Sequence, residues 1–290
     1  MLAFAQAPQK LTARSNVDGR SRTYEVHVPA GYDGRKAVPL VLALHGRIGN
    51  GEGQARLSRL DSVSDAHGFL VVYPDGMDRS WADGRGVTPS EKNNVNDVKF
   101  LSGLIDKLSG QYRIDATRVC TTGMSNGGFM TGKLACDLSN KIAAVAIVAA
   151  SISDILASSC DPAKPVSVLL MQGTKDPLVP FAGGPLGRNG DRGTVLPHAD
   201  AVKNWLALDH CTGDPTIETI PDKAGDGTSI SARTYSHCDG GSEVADYSVI
   251  DGGHAWPGGV PYSAEVLIGK TSKNLNANEV IWEFFAKHSR

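Results

Sequence analysis

The chain is 290 residues long, with 41% hydrophobic and 21% charged residues and a formal net charge of −2. This is the composition of an ordinary globular protein, and without clustered Lys and Arg to neutralise phosphates it excludes a nucleic-acid-binding surface. The longest apolar stretches, such as 143–150, fall far short of a bilayer-spanning helix, so no membrane association is expected.

The N-terminus contains Ala5-Gln6-Ala7, which has the small-x-small form of a signal-peptidase site after an apolar stretch too short for a whole signal. Residues 1–20 are therefore set apart as an N-terminal segment, either a signal-peptide remnant or an ordinary frayed end. Residues 21–290 are expected to form one domain. The alternating segment 23–28 suits an antiparallel edge strand. Segments 39–44, 69–73, 143–148 and 166–171 are apolar on both faces, as strands of a covered parallel sheet must be. Segments 118–122 and 247–250 add two more strands. Between them, Val98, Leu101, Leu104, Ile105 and Leu108 repeat at helical spacing behind Asp97. Helices are also expected over 129–135, 201–208 and 280–287, and a long surface loop over the Gly-rich 183–193. Strands alternating with helices indicate a single α/β domain with a mostly parallel sheet and helices on both faces.

Gly123-Met124-Ser125-Asn126-Gly127 lies between a predicted strand and a predicted helix. A serine on such a sharp turn is held strained, with its hydroxyl projecting above the sheet, and the flanking glycines leave room for the turn. A serine nucleophile needs a base, and the base needs an orienting carboxylate. Asp176 follows the strand 166–171, and His254 follows the strand 247–250 in a glycine-flanked loop. This is the chain order Ser, Asp, His that an α/β-hydrolase requires. Asp154 and Asp251 are weaker candidates for the acid. His27 fits an edge-strand side chain, and His67, His198, His210, His237 and His288 lie in polar surroundings without strand-end placement. The oxyanion hole is expected from the backbone N–H groups of Asn126 and of Arg47, in the loop Leu44-His45-Gly46-Arg47 after the first central strand.

These segments, with Ser80-Trp81, Asn96-Asp97-Val98, Gly173-Thr174-Lys175-Asp176 and Gly252-Gly253-His254-Ala255-Trp256-Pro257-Gly258, resemble the secreted esterases grouped with polyhydroxybutyrate depolymerases and feruloyl esterases, related to carbohydrate esterase family one. The resemblance runs from about residue 22 to the C-terminus. It implies an α/β-hydrolase fold, a Ser125–Asp176–His254 triad, no metal or cofactor, and hydrolysis of a small-molecule or polysaccharide-linked ester. Feruloyl esters come first, then acetylated xylan, then polyhydroxybutyrate. A serine peptidase and a catalytically dead carbohydrate-binding relative are the competing classes. Trp81 and Trp256 match aromatic positions flanking the family's cleft and are expected to bind substrate or to buttress loops. Arg47 departs from the small or Cys residue often found after His-Gly, so its side chain is expected to alter acyl preference.

Five cysteines, Cys120, Cys136, Cys160, Cys211 and Cys238, fit two disulfides and a buried thiol in an exporting cell, or five thiols in a cytosolic enzyme. Their spacing supports no zinc site. The resemblance implies Cys136–Cys160 and Cys211–Cys238, each closing a loop worth about 3 kcal/mol in the chain-entropy model, with Cys120 free. It also implies a secreted protein.

Overall fold

The computed structural model describes residues 9–187 and 189–290; the cleavage-like Ala5-Gln6-Ala7 lies outside them. The chain opens with strands β1 (Gln9–Val17), β2 (Arg20–Val28) and β3 (Val38–Leu44). Helices α1 (Gly51–Ser58) and α2 (Leu60–His67) lead to β4 (Leu70–Pro74). Next come α3 (Pro89–Lys92), α4 (Asp97–Gln111), β5 (Ile114–Met124) and α5 (Asn126–Asp137). Strand β6 (Ala144–Val148), helix α6 (Asp154–Ser159) and β7 (Ser167–Gly173) follow, then the short hairpin β8 (Gly184–Pro185) and β9 (Thr194–Val195). The last third holds α7 (His198–Leu208), β10 (Thr216–Ile220), β11 (Ser229–Tyr235), β12 (Val244–Ile250), α8 (Glu265–Ile268) and α9 (Ala277–Lys287).

Ten of the described strands make one sheet in the order β1-β2-β4-β3-β5-β6-β7-β12-β11-β10. The six strands from β4 to β12 pair in parallel, and antiparallel pairs close both edges. The parallel strands are apolar on both faces because both faces are covered. Leu40, Leu42, Val145 and Ile147 point into one core with Phe100 and Leu104 of α4, Met130 and Leu134 of α5 and Trp205 of α7. Val41, Ala43, Ala144 and Ala146 point into the other, against Leu60 and Val63 of α2 and Ile281, Trp282 and Phe285 of α9. Each buried Leu or Ile contributes about 1.5–3 kcal/mol over its exposed state. Two cores divided by one parallel sheet are the α/β-hydrolase architecture, and its ligand crevice lies beyond the carboxyl ends of the strands.

Two expectations for the edges are corrected. Segment 23–28 is antiparallel to β4, yet it is not the edge, because β1 pairs with β2 over nine residues outside it. The N-terminal segment set apart as 1–20 therefore contains a strand of the sheet over 9–17. The Gly-rich loop 183–193 is tied at its base by the β8–β9 hairpin.

Candidate active site

Strand β5 runs to Met124 and α5 starts at Asn126, so Ser125 alone makes the turn. Its backbone sits at φ 57°, ψ −120°, a strained conformation for a residue with a side chain, tolerated only where the surroundings enforce it. They do: the Ser125 N–H donates to Val148 O of β6 at 3.0 Å. A Cβ at Gly127 would lie 2.2 Å from Leu44 O, and one at Gly123 2.4 Å from Gly127 O. The glycines of the motif are thus required by the close approach of β3 and the first turn of α5.

Asp176 sits just beyond β7 and is 7% exposed. Its Oδ1 accepts from the N–H groups of Leu178 and Val179, both at 2.8 Å. Its Oδ2 is 2.7 Å from Nδ1 of His254, a 2% exposed residue in the loop after β12. The two loops can meet because Gly173 lies against Gly252 and Gly253, where a Cβ would come within 2.4 Å of their carbonyl oxygens. With Nδ1–H donated to the carboxylate, Nε2 is the basic nitrogen. His254 and Ser125 line the same cavity.

The rival acids are employed elsewhere. Asp251 is exposed and faces Lys175 at 3.7 Å, and Asp154 is exposed in the first turn of α6. Among the histidines, His27 contacts Asp65, His67 Glu279 and His210 Asp239, while His237 is exposed. His288 is buried beside Phe284, and burial pushes its pKa down to about 4. His198 has the polar surroundings expected of it, one polar partner on each ring nitrogen, but at 2% exposure it is buried with them.

Both expected oxyanion donors face the cavity. Asn126 is the first residue of α5, so its N–H has no intrahelical acceptor; the positive end of the helix dipole adds to it. The Arg47 N–H has no protein acceptor among the described residues. A Cβ at Gly46 would sit 3.5 Å from Ser125 Cβ, which places this loop alongside the nucleophile. His45 fixes the loop: the Gly76 N–H donates to its Nε2 at 2.9 Å, so Nδ1 carries the proton and donates to Gly46 O at 2.7 Å. The ring is therefore neutral, and burial lowers its pKa accordingly.

The substrate-binding expectation for Trp81 and Trp256 is corrected: neither lines the cavity. Trp81 is fully buried, and its Nε1–H donates to His45 O at 2.9 Å. Trp256 is 2% exposed, and its Nε1–H donates to Asn278 Oδ1 at 2.9 Å. Neither ring has a face open to the cavity. Around Trp81 the sequence signposts lock together. Asn126 Oδ1 accepts from the Trp81 N–H at 2.8 Å, and its Nδ2 donates to Asp83 at 2.5 Å. Asp97 accepts from the Ala82 N–H at 2.7 Å and from buried Arg22 at 2.6 Å.

The cavity measures about 530 Å³. Met124, Phe129, Leu178, Val179, Leu186 and Tyr262 supply apolar surface, and Arg47, Arg85 and Arg192 supply charge. Arg85 lies over the Phe129 ring at 4.2 Å and pairs with buried Asp83 at 2.6 Å. Sequence reasoning missed Phe129, Arg85 and Tyr262; Phe129, on the first turn of the helix behind the nucleophile, was the one with a local signal.

Cys136–Cys160 and Cys211–Cys238 are disulfide-bonded, joining α5 to the end of α6 and the end of α7 to the β11–β12 connection. Cys120 is a free thiol inside β5, where burial pushes its pKa up to about 12. Among the described residues no group of three or more His, Cys, Asp or Glu is placed to hold a metal ion, and no helix is long and apolar enough to cross a membrane.

The family model described as esterase PHB depolymerase matches residues 22–176. The chain is 32% identical over 281 residues to NocK of Nocardia uniformis subsp. tsuyamanensis, named as an esterase, covering 92% of this chain and 80% of that one. It is 28% identical over 238 residues to feruloyl esterase B of Piromyces equi, covering 79% of this chain but only 42% of that longer protein. Among solved structures, acetyl xylan esterase from Aspergillus awamori superposes with a TM-score of 0.61 over 95% of this chain and 99% of that one, at 14% identity. At that identity it attests the fold alone.

Proposed function

The chain belongs to the esterase PHB depolymerase family and is a carboxylic ester hydrolase; from that premise we propose that it works through an acyl-enzyme on Ser125, with hydroxycinnamoyl esters as its preferred substrates. The observation that carries the mechanism is the buried 2.7 Å Asp176–His254 pair facing the cavity that also holds Ser125 on its strained turn. His254 Nε2 takes the Ser125 proton as Oγ attacks the ester carbonyl. The resulting alkoxide is held by the Asn126 and Arg47 N–H groups, an interaction worth about 3–4 kcal/mol per donor in comparable sites. His254 then protonates the departing alcohol, and water, deprotonated by the same nitrogen, releases the acid and restores Ser125.

The substrate class draws support from the cavity lining and from the feruloyl esterases among the relatives. Tyr262, half exposed at the cavity, offers aromatic surface to a planar acyl group, in the role first expected of the tryptophans. Acetylated xylan is the second substrate and polyhydroxybutyrate the third. We place the protein in an oxidising compartment outside the cytoplasm, in keeping with its two disulfides.

A panel of methyl ferulate, acetylated xylan, polyhydroxybutyrate and p-nitrophenyl acetate tests both parts, with Ser125→Ala as the blank. The reading expects the highest kcat/KM on methyl ferulate and no activity above background for the variant. Turnover of the polymer alone would overturn the substrate class, and wild-type turnover of p-nitrophenyl acetate by Ser125→Ala would overturn the mechanism.

A further inference from the structure

Another buried histidine lies three links behind the triad carboxylate. His198 opens α7, stacked on Phe181 with 4.4 Å between ring centroids. Its Nε2 is 2.7 Å from Asp246 Oδ1 on β12, and its Nδ1 is 2.8 Å from Gln172 Oε1 on β7. The Gln172 amide N–H donates to Val179 O at 3.0 Å, and the Val179 N–H donates to Asp176 Oδ1 at 2.8 Å. The remaining oxygen of Asp176 holds His254. His198, Asp246, Gln172 and His254 are each at most 2% exposed.

Donor and acceptor logic fixes the protons. Val179 O accepts only, so the NH2 of Gln172 must face it and Oε1 must face His198. An amide oxygen also accepts only, so His198 Nδ1 must carry a hydrogen. The 2.7 Å contact between Nε2 and a carboxylate oxygen needs a second proton. Ser248 Oγ at 3.2 Å and Arg233 Nη1 at 3.5 Å both favour a carboxylate at Asp246, so the proton belongs on the ring. The contact is then an imidazolium–carboxylate pair, with each member hydrogen-bonded as buried charges require.

We propose that His198 is a positioning residue for the ester-hydrolysis reaction: held by Asp246, it fixes Gln172, which holds the 176–179 turn so that Asp176 presents Oδ2 to His254. The proposal rests on the assignment of Asp176 and His254 to the triad. It accounts for a buried ion pair that lines no part of the cavity, and for a polar Gln172 directly after the apolar run 168–171 of β7.

The test uses three variants of the full chain, each checked for folding by thermal melting. Gln172→Met keeps the side-chain length and leaves the His198–Asp246 pair intact while removing both amide bonds. It should lower kcat on p-nitrophenyl acetate by about 10- to 100-fold, the cost of a small misplacement of a catalytic group, with KM within about twofold. The low-field proton resonance of the Asp176–His254 hydrogen bond should shift or disappear. His198→Phe keeps the ring stack and should behave in the same way. Asp246→Asn gives His198 a neutral partner that permits the Nδ1–H tautomer, so the Gln172 contact persists and kcat should fall less than in Gln172→Met. In that variant the His198 ring nitrogens should change from both protonated to one protonated by nitrogen NMR. Folded Gln172→Met with wild-type kcat and an unmoved low-field proton would overturn the proposal, whatever the stability of His198→Phe. A wild-type His198 with a single protonated nitrogen would overturn the imidazolium. Neither result depends on Ser125: activity surviving in Ser125→Ala would instead show that the triad reading had failed, and the low-field proton would still report the turn.

Discussion

Asn126 works on two sides at once. Its backbone N–H opens α5 toward the cavity, while its side chain clamps Trp81 and Asp83. Asn126→Ala keeps the N–H and loses the clamp, so it should cost kcat through a shifted oxyanion donor, by about tenfold, with little change in KM; unchanged kcat would show the clamp to be idle. Asp176→Asn should leave the fold intact and reduce kcat by about 10⁴-fold, because a carboxamide can no longer fix His254 in the Nδ1–H tautomer. Trp81→Ala separates the roles weighed for that residue. A buried buttress predicts a stability loss of about 3–5 kcal/mol, read by denaturant unfolding, rather than a selective rise in KM for aromatic esters. The placement of Ser125, Asp176 and His254 was legible because each follows a buried strand in the order that a Ser–Asp–His triad needs. Asp83, the structural role of His45, and the burial of His198 were not legible, because their partners lie 43, 31 and 48 residues away along the chain. Indole side chains near a motif carry no sign of which way they face, and so Trp81 and Trp256 were open to either role.

At the scale of elements, the turn between β5 and α5 is the most demanding piece of backbone. Gly127→Ala would drive a Cβ to 2.2 Å from Leu44 O, so β3 and α5 must separate at the point where the oxyanion loop leaves β3. The expected result is loss of more than about 100-fold in kcat/KM together with a lowered Tm; an active, equally stable variant would show that the glycine is dispensable. Four of the six parallel strands were readable because burial on both faces leaves a continuous apolar run. Strands β1 and β10 were not, since none of their residues is buried and only pairing with a neighbour makes them strands. Helices α1 and α2 escaped as well: α1 begins in the Gly-rich run after the oxyanion loop, and together they bury few apolar side chains.

For the molecule as a whole, two buried groups set opposing pH slopes of stability. Burial raises Asp209 to about 6, above its unfolded value of about 3.9. The folded state therefore holds an extra proton between these values, and that contribution is lost as pH rises through 6. Burial lowers His288 to about 4, below its unfolded value of about 6.5, so its contribution is present above 6.5 and lost as pH falls through 4. The two contributions oppose each other between pH 4 and 6. Asp209→Asn should expose a Tm that climbs with pH and add about 1–3 kcal/mol at pH 7; His288→Gln should expose one that falls. Parallel Tm profiles for wild type and both variants would contradict this. The central claim, that the whole fold converges on Ser125 as an acyl-forming nucleophile, is tested most directly by mass spectrometry of the protein after incubation with a fluorophosphonate probe. One adduct per chain is expected, located on the peptide containing Ser125, and none on Ser125→Ala or after thermal unfolding. An adduct on another residue, or one persisting in Ser125→Ala, would contradict it.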